Sequence, residues 1–266
     1  MDSSPELELT PQELILVQLV EKQPAPERHS ARTAIHHLKK AWRIKDIDRE
    51  MAYFRSLMAE EEAASAVFRS LKRLNYQGAD QLNHRNHVHK NALVPFVLAV
   101  GKVIHFLNEQ GGYNPHLVID EAGPNAGKLR VRFTIKLPNG DIQHAWPMPP
   151  LHLGISLNDQ MHMFQQELQE LASEGNAQDA WSYVKRMANR RNLVLYAHKN
   201  GIPVAETPVD DFLCKRRQNV FMLLTIYLLI DQYDEHQKLV QQGIGVLLKL
   251  LKLVVAKPDI DGDSAV

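Results

Sequence analysis

Between residues 129 and 146 the spacing of apolar side chains changes from every third or fourth position to every second. Leu129, Val131, Phe133, Ile135 and Leu137 alternate with Arg130, Arg132, Thr134 and Lys136. Such a segment can only be an extended strand with one face buried and the other wet. Asn139-Gly140 follows at once, a dipeptide that accepts the positive φ angles of a type I′ turn, and residues 141–146 can return as the partner strand. An isolated hairpin is marginal in water, so a third strand from residues 117–120 and a helix against the apolar face are expected to support it. The register predicts Val131, Phe133 and Ile135 packed on a helix, with Arg130, Arg132 and Lys136 exposed.

On either side of this region the pattern is helical. Residues 11–22 suit a short helix behind a Thr10 cap, ended by Pro24-Ala25-Pro26. Residues 27–45 and 48–74 are rich in good helix formers, and 75–78 supply a stop. In the second of these, Phe54, Leu57, Glu61, Ala64, Phe68 and Leu71 form a stripe at helical spacing that Glu61 interrupts. Ala59, Ala63, Ala64 and Ala66 allow close helix packing. A further helix is predicted over 89–108, with Pro95 tolerable near its beginning or at a kink. Beyond the hairpin come helices over about 157–173, 177–199, 210–231 and 234–255, with Asn200-Gly201-Ile202-Pro203 as a stop. Residues 220–230 are apolar on nearly all sides and should form the central helix of a C-terminal bundle.

The fold class expected is α+β, mostly α: a helical bundle with a central antiparallel β-hairpin or small three-stranded sheet. Its parts are an N-terminal arm (1–26), a helical region (27–110), the hairpin region (111–152), a C-terminal helical bundle (153–256) and a disordered tail (257–266). The two helical parts can share one core. Lys plus Arg and Asp plus Glu are equal at 31 each, so no global field draws the chain to nucleic acid or an anionic membrane, and any such binding rests on a local patch. A single cysteine, Cys214, excludes a disulfide framework and a multi-thiolate zinc site. The acidic start, Met1-Asp2-Ser3-Ser4-Pro5-Glu6, lacks the basic residues of a secretory signal, and the apolar run over 220–230 is shorter than a bilayer span. A cytoplasmic protein without membrane attachment is the expectation.

Three local patterns look like chemistry and are better read as structure. Gly123-Pro124-Asn125-Ala126-Gly127-Lys128 has the wrong glycine spacing for a phosphate loop, lacks the following Ser or Thr, and leads into a strand, so it is read as a turn. His84, His87 and His89 have no metal-specific spacing and no thiolate or carboxylate nearby in sequence, which favours a solvated or phosphate-contacting helix start over a metal site. Lys215-Arg216-Arg217 reads as a solvated face and Cys214 as a packing residue. No cofactor and no metal are implied.

The segment Arg191-Asn192-Leu193-Val194-Leu195-Tyr196-Ala197-His198 carries the functional lead. Seven positions make nearly two helical turns, so Arg191 and His198 project from one face about 10 Å apart along the axis. A guanidinium can hold a phosphate while an imidazole moves a proton. Arg186, Arg190 and Lys199, with Lys185, add positive charge that a nucleic-acid backbone favours. Here the chain resembles the HEPN superfamily, helical domains that include metal-independent RNases and abortive-infection or toxin proteins, whose signature is an Arg, four to six residues, then a His. Arg191 and His198 match it, with Asn192 as the polar residue often found after the Arg. The resemblance implies catalytic roles for Arg191 and His198, RNA contacts from Asn192, Arg186, Arg190 and Lys199, RNA as partner, attack by a ribose 2′-hydroxyl, and a homodimer. The competing expectation is a non-catalytic helical scaffold or regulatory protein-interaction module.

Overall fold

The computed structural model describes residues 6–111, 113–137, 139–157, 159–174, 182, 184–185 and 208–256. Among these, seven α-helices surround one core and carry a small three-stranded sheet at one end, so the mostly helical α+β class holds. Helix α1 spans Pro11–Glu21 and opens on a capping box: the Thr10 hydroxyl accepts from the Glu13 N–H at 3.2 Å, and the Glu13 carboxylate accepts from the Thr10 N–H at 2.7 Å. Helix α2 spans Glu27–Ile44 and α3 Arg49–Arg73, the latter capped by Asp48 and ended by Asn75 and Gly78 at positive φ. Helix α4, His87–Gly111, begins behind Asn86, whose Oδ1 accepts the Val88 N–H at 2.9 Å. It runs on through Pro95, two turns from its start, at the cost of one backbone hydrogen bond.

Strands β1 (Tyr113–Ile119), β2 (Leu129–Lys136) and β3 (Ile142–Ala145) form an antiparallel sheet in the order β1-β2-β3. The glycine-rich stretch between β1 and β2 is a turn, as its failed match to a phosphate loop implied, with Gly123 and Gly127 at positive φ. The β2–β3 turn differs from the type I′ expectation. Its hydrogen bond runs from the Gly140 N–H to the Leu137 carbonyl, with Gly140 at φ 88° and Asn139 outside the positive-φ set. Glycine therefore closes the turn in the left-handed region, instead of sharing the positive φ angles with the asparagine before it.

The segment from 157 is not helical at once. Strands β4 (Ser156–Leu157) and β5 (Gln160–Met161) make a two-stranded ladder with Asp159 at positive φ between them, and helix α5 starts only at Gln165 (Gln165–Glu174). An Asn-Asp pair favours a turn over helix continuation, which the helical reading of 157–173 undervalued. Helix α6 spans Val209–Asp231 and α7 Lys238–Ala256. The start of α7 lies four residues later than expected because His236 and Gln237 are used elsewhere: His236 Nε2 meets the Leu74 carbonyl at 2.7 Å, and the buried Gln237 amide donates to the Leu229 carbonyl at 2.7 Å.

The apolar stretch of α6 is buried as its composition demands, with Val220, Leu223, Leu224, Tyr227 and Leu228 all at 0% exposure. Its principal neighbour is α3, with α1 and α2 beside it, so both helical parts of the chain share one core. The alanines at 59, 63, 64 and 66 are fully buried and let α3 approach its neighbours closely. By length and composition α4 alone among the described helices could cross a bilayer; here Ala92, Val94, Phe96 and Ala99 lie in the core.

Candidate nucleic-acid interface

The sheet is tied to the helical body through the start of β2. The Leu129 N–H donates to Gln232 Oε1 and its carbonyl accepts from the Tyr233 hydroxyl, each at 2.8 Å, while Leu129 and Val131 bury their side chains. Burial, then the charge of Asp120, pushes the Tyr233 phenol up to about 12, so it stays a donor. Phe133 and Ile119 pack on the core edge in the register expected for the apolar face, whereas Ile135, farther along β2, is half-buried and lies outside the packed cluster.

The register places the other face. Arg132 lies opposite His116, Thr134 opposite both Asn114 and His144, and Lys136 opposite Ile142. Residues directly paired across strands share a face, so Arg130, Arg132, Lys136, His116 and His144 stand together. Trp146, one residue past β3, folds back over this face. Its ring lies 4.1 Å from the Arg130 guanidinium and 5.6 Å from that of Arg132, with His144 edge-on at 6.1 Å. The two arginines are therefore not freely exposed as expected; only Lys136 is, because the indole and Asp120 cover the guanidinium groups.

The two arginines differ in their charge balance. Arg130 donates to Asp120 Oδ2 at 2.7 Å, so its charge is compensated and its work is to hold the indole. Among the described residues, Arg132 has no carboxylate within ion-pair distance and its buried Nε has no hydrogen-bond partner. Trp146 keeps 40% exposure. The result is an aromatic platform fixed from one side, with an uncompensated guanidinium and an exposed lysine along the same strand. Such a surface can stack a base and hold a phosphate.

Other polar groups tie the helices to one another. Glu60 on α3 accepts from Arg216 at 2.7 Å and Asn219 at 2.8 Å, all three buried. Arg217 bonds the Glu13 carboxylate and the Glu8 carbonyl. The 215–217 run is thus no solvated face: two of its three charges lock α6 to α3 and α1. Glu61 receives Lys90 at 2.7 Å and His87 at 2.6 Å, so the residue that interrupts the apolar stripe is the acceptor for the start of α4. Asp231 accepts from Ser70 at 2.6 Å and Arg73 at 2.8 Å beneath the buried Tyr227, whose phenol is raised by burial and by the charges of Asp231 and Glu27. Cys214, expected to pack, is exposed.

A cavity of about 130 Å³ lies between α3, α4, α6 and α7, lined only by apolar residues and Gly243. It holds no group that could do chemistry. Among the described residues no cluster of three or more His, Cys, Asp or Glu side chains has metal-binding geometry. Arg186, Arg190, Arg191, Asn192, His198 and Lys199 all lie outside the described residues. The sheet face went unrecognised in the sequence, although Arg130, Arg132 and Lys136 on the wet side of β2 were a partial signal; what was missing was Trp146, whose place depends on the β2–β3 register. No family model, curated protein or solved structure matches the chain significantly.

Proposed function

We propose that this protein binds single-stranded RNA through the sheet face built on Arg132, Lys136, His144 and Trp146. The observation that carries the reading is Trp146, held by Arg130 at 4.1 Å and still 40% exposed beside a guanidinium with no counter-ion among the described residues. Every base has a π face, so a fixed indole binds RNA with little sequence preference, and cations alongside it hold the backbone. The even overall charge is consistent with this, because the attraction is confined to one patch. The HEPN-like Arg191–His198 pattern adds a second step to the proposal, metal-independent cleavage of the bound strand.

The test is fluorescence anisotropy with a labelled RNA oligonucleotide at two or more salt concentrations. Trp146→Ala should weaken binding by about 5- to 100-fold, the span expected for one lost base stack. Arg132→Gln should weaken it and lower the salt slope by about one. RNA affinity unchanged in both variants would overturn the interface, and tighter binding to DNA of the same sequence would correct the ligand class. Cleavage without added metal that disappears in His198→Ala would support the second step; binding without any cleavage would remove it and leave the first.

A further inference from the structure

Helix α3 turns one continuous face to the segment that leads into α4. Glu61, Ser65, Arg69 and Lys72 follow one another at spacings of four, four and three, which puts them on that face. Ser65 Oγ contacts the His84 carbonyl at 3.3 Å and so brings His84 beside the next turn, where Arg69 stands. At the Glu61 end the charges balance, because Lys90 and His87 both reach its carboxylate.

One to two turns further on they do not. Among the described residues, Arg69 and Lys72 on α3 and Arg85 in the lead-in have no carboxylate within ion-pair distance, while other arginines of the helical body, such as Arg32, Arg73, Arg216 and Arg217, each have one. The nearest acids in sequence, Glu62 and Asp80, pair with none of them. Two buried nitrogens here also lack any hydrogen-bond partner, Arg69 Nε and His84 Nδ1. The imidazoles of His84 and His89 are held below their ordinary pKa, by burial first and then by the surrounding charges: Arg69, Lys72, Arg85 and Lys90 for His84, Lys72 for His89.

The backbone at the start of α4 is not what would attract an anion. Asn86 Oδ1 already accepts the Val88 N–H at 2.9 Å and the His89 N–H at 3.4 Å. His89 Nδ1 accepts the Asn83 N–H at 3.1 Å, so the neutral ring carries its proton on Nε2, where it can donate. The cluster thus offers two guanidinium groups, an ammonium and the His89 Nε2–H as donors, with no carboxylate of the described residues among them, which is the complement of a tetrahedral oxyanion.

We propose that this cluster is a phosphate-binding site, with Arg69 and Lys72 from α3 and His84, Arg85 and His89 from the lead-in to α4 as its donors. It is separate from the sheet face and does not depend on the RNA reading. The phosphate can belong to a free phosphate monoester or to a nucleic-acid backbone.

The full chain is titrated with inorganic phosphate by calorimetry against a chloride control of equal ionic strength, and in parallel with the RNA oligonucleotide used above. Saturable phosphate binding is expected, weakened by about tenfold or more in Arg69→Gln, since a charge-assisted contact is lost. Arg85→Gln, on the exposed lead-in, gives a second variant that leaves the core untouched. Weakened inorganic-phosphate binding with unchanged RNA affinity supports the site with a monoester as its ligand. RNA affinity lowered by the same variants supports it with a backbone phosphate. Phosphate and RNA affinities both unchanged in Arg69→Gln and Arg85→Gln would overturn the site, whereas the sheet-face reading would still stand or fall on Trp146→Ala alone.

Discussion

Replacing Arg216 by methionine should be among the most damaging single changes in the α3–α6 seam. The side chains of Arg216 and Glu60 are 1% and 3% exposed, and the guanidinium meets Glu60 Oε2 at 2.7 Å. Without it the carboxylate keeps only the Asn219 amide at 2.8 Å in a site closed to water. Removing one partner of such a pair costs about 3–5 kcal/mol, because the other charge stays buried and uncompensated. Against a total stability of about 5–15 kcal/mol for a domain, that is a large fraction. The double variant Glu60→Leu with Arg216→Met removes both charges and should recover most of the loss. A residual of about 1–3 kcal/mol is expected, since Asn219 then lacks its acceptor. Equilibrium urea unfolding of the wild type, both single variants and the double gives the coupling energy directly. Arg216→Met within about 1 kcal/mol of wild type, or a double variant as unstable as the sum of the singles, would refute the reasoning.

Leu224→Asp places a carboxylate at a fully buried position of α6 and should cost more than about 4 kcal/mol, read as a collapse of the thermal transition; an unchanged melt would show that α6 is not packed as described. Gly78→Ala should cost about 1–2 kcal/mol, because residue 78 sits at φ +84° and an added Cβ would lie 2.9 Å from Leu248 Cδ1; a neutral result in urea unfolding would argue against that close approach. Burial and neighbouring charges hold the imidazoles of His37, His84 and His89 below the ordinary 6.5, so the folded protein stays neutral there while the unfolded chain takes up protons. Stability should be level above that value and fall as pH drops through it toward the lowered folded values; melts showing no decline between about pH 7 and pH 5 would contradict this.

The elements that were legible in the sequence are those fixed by local pattern. The alternation over 129–137 fixes strand and register, and Thr10 followed by Glu13 marks the start of α1 before any packing is considered. Where the sequence misled, a side chain had a partner far along the chain. Glu61 looks like a flaw in an apolar stripe until α4 delivers Lys90 and His87, and Arg216 looks solvated until Glu60 appears 156 residues away in the sequence. The sheet face follows the same rule: the basic residues of β2 are visible in the sequence, whereas the indole that turns them into a platform arrives only through the pairing of Phe133 with Ala145.

The same long-range pairing also separates structural charges from functional ones. Folding a charged residue into the interior is unfavourable unless an opposite charge or enough hydrogen bonds meet it there, and Arg216, Lys90 and Asp231 each meet that condition. A cation held partly out of water without a counter-ion lowers stability, so its retention needs another source of free energy. A bound anion would supply it, since a ligand that binds only the folded state stabilises it by an amount that grows with the logarithm of ligand concentration over Kd. Arg132 beside Trp146, and Arg69 beside His84, are two places where, among the described residues, a partly covered guanidinium keeps a buried nitrogen without a partner and has no carboxylate in reach. If that reasoning holds, the full chain should melt at a higher temperature in phosphate than in chloride of equal ionic strength, and Arg69→Gln should reduce the difference. A melting temperature equal in the two salts would mean that the uncompensated charge at Arg69 is tolerated without a ligand.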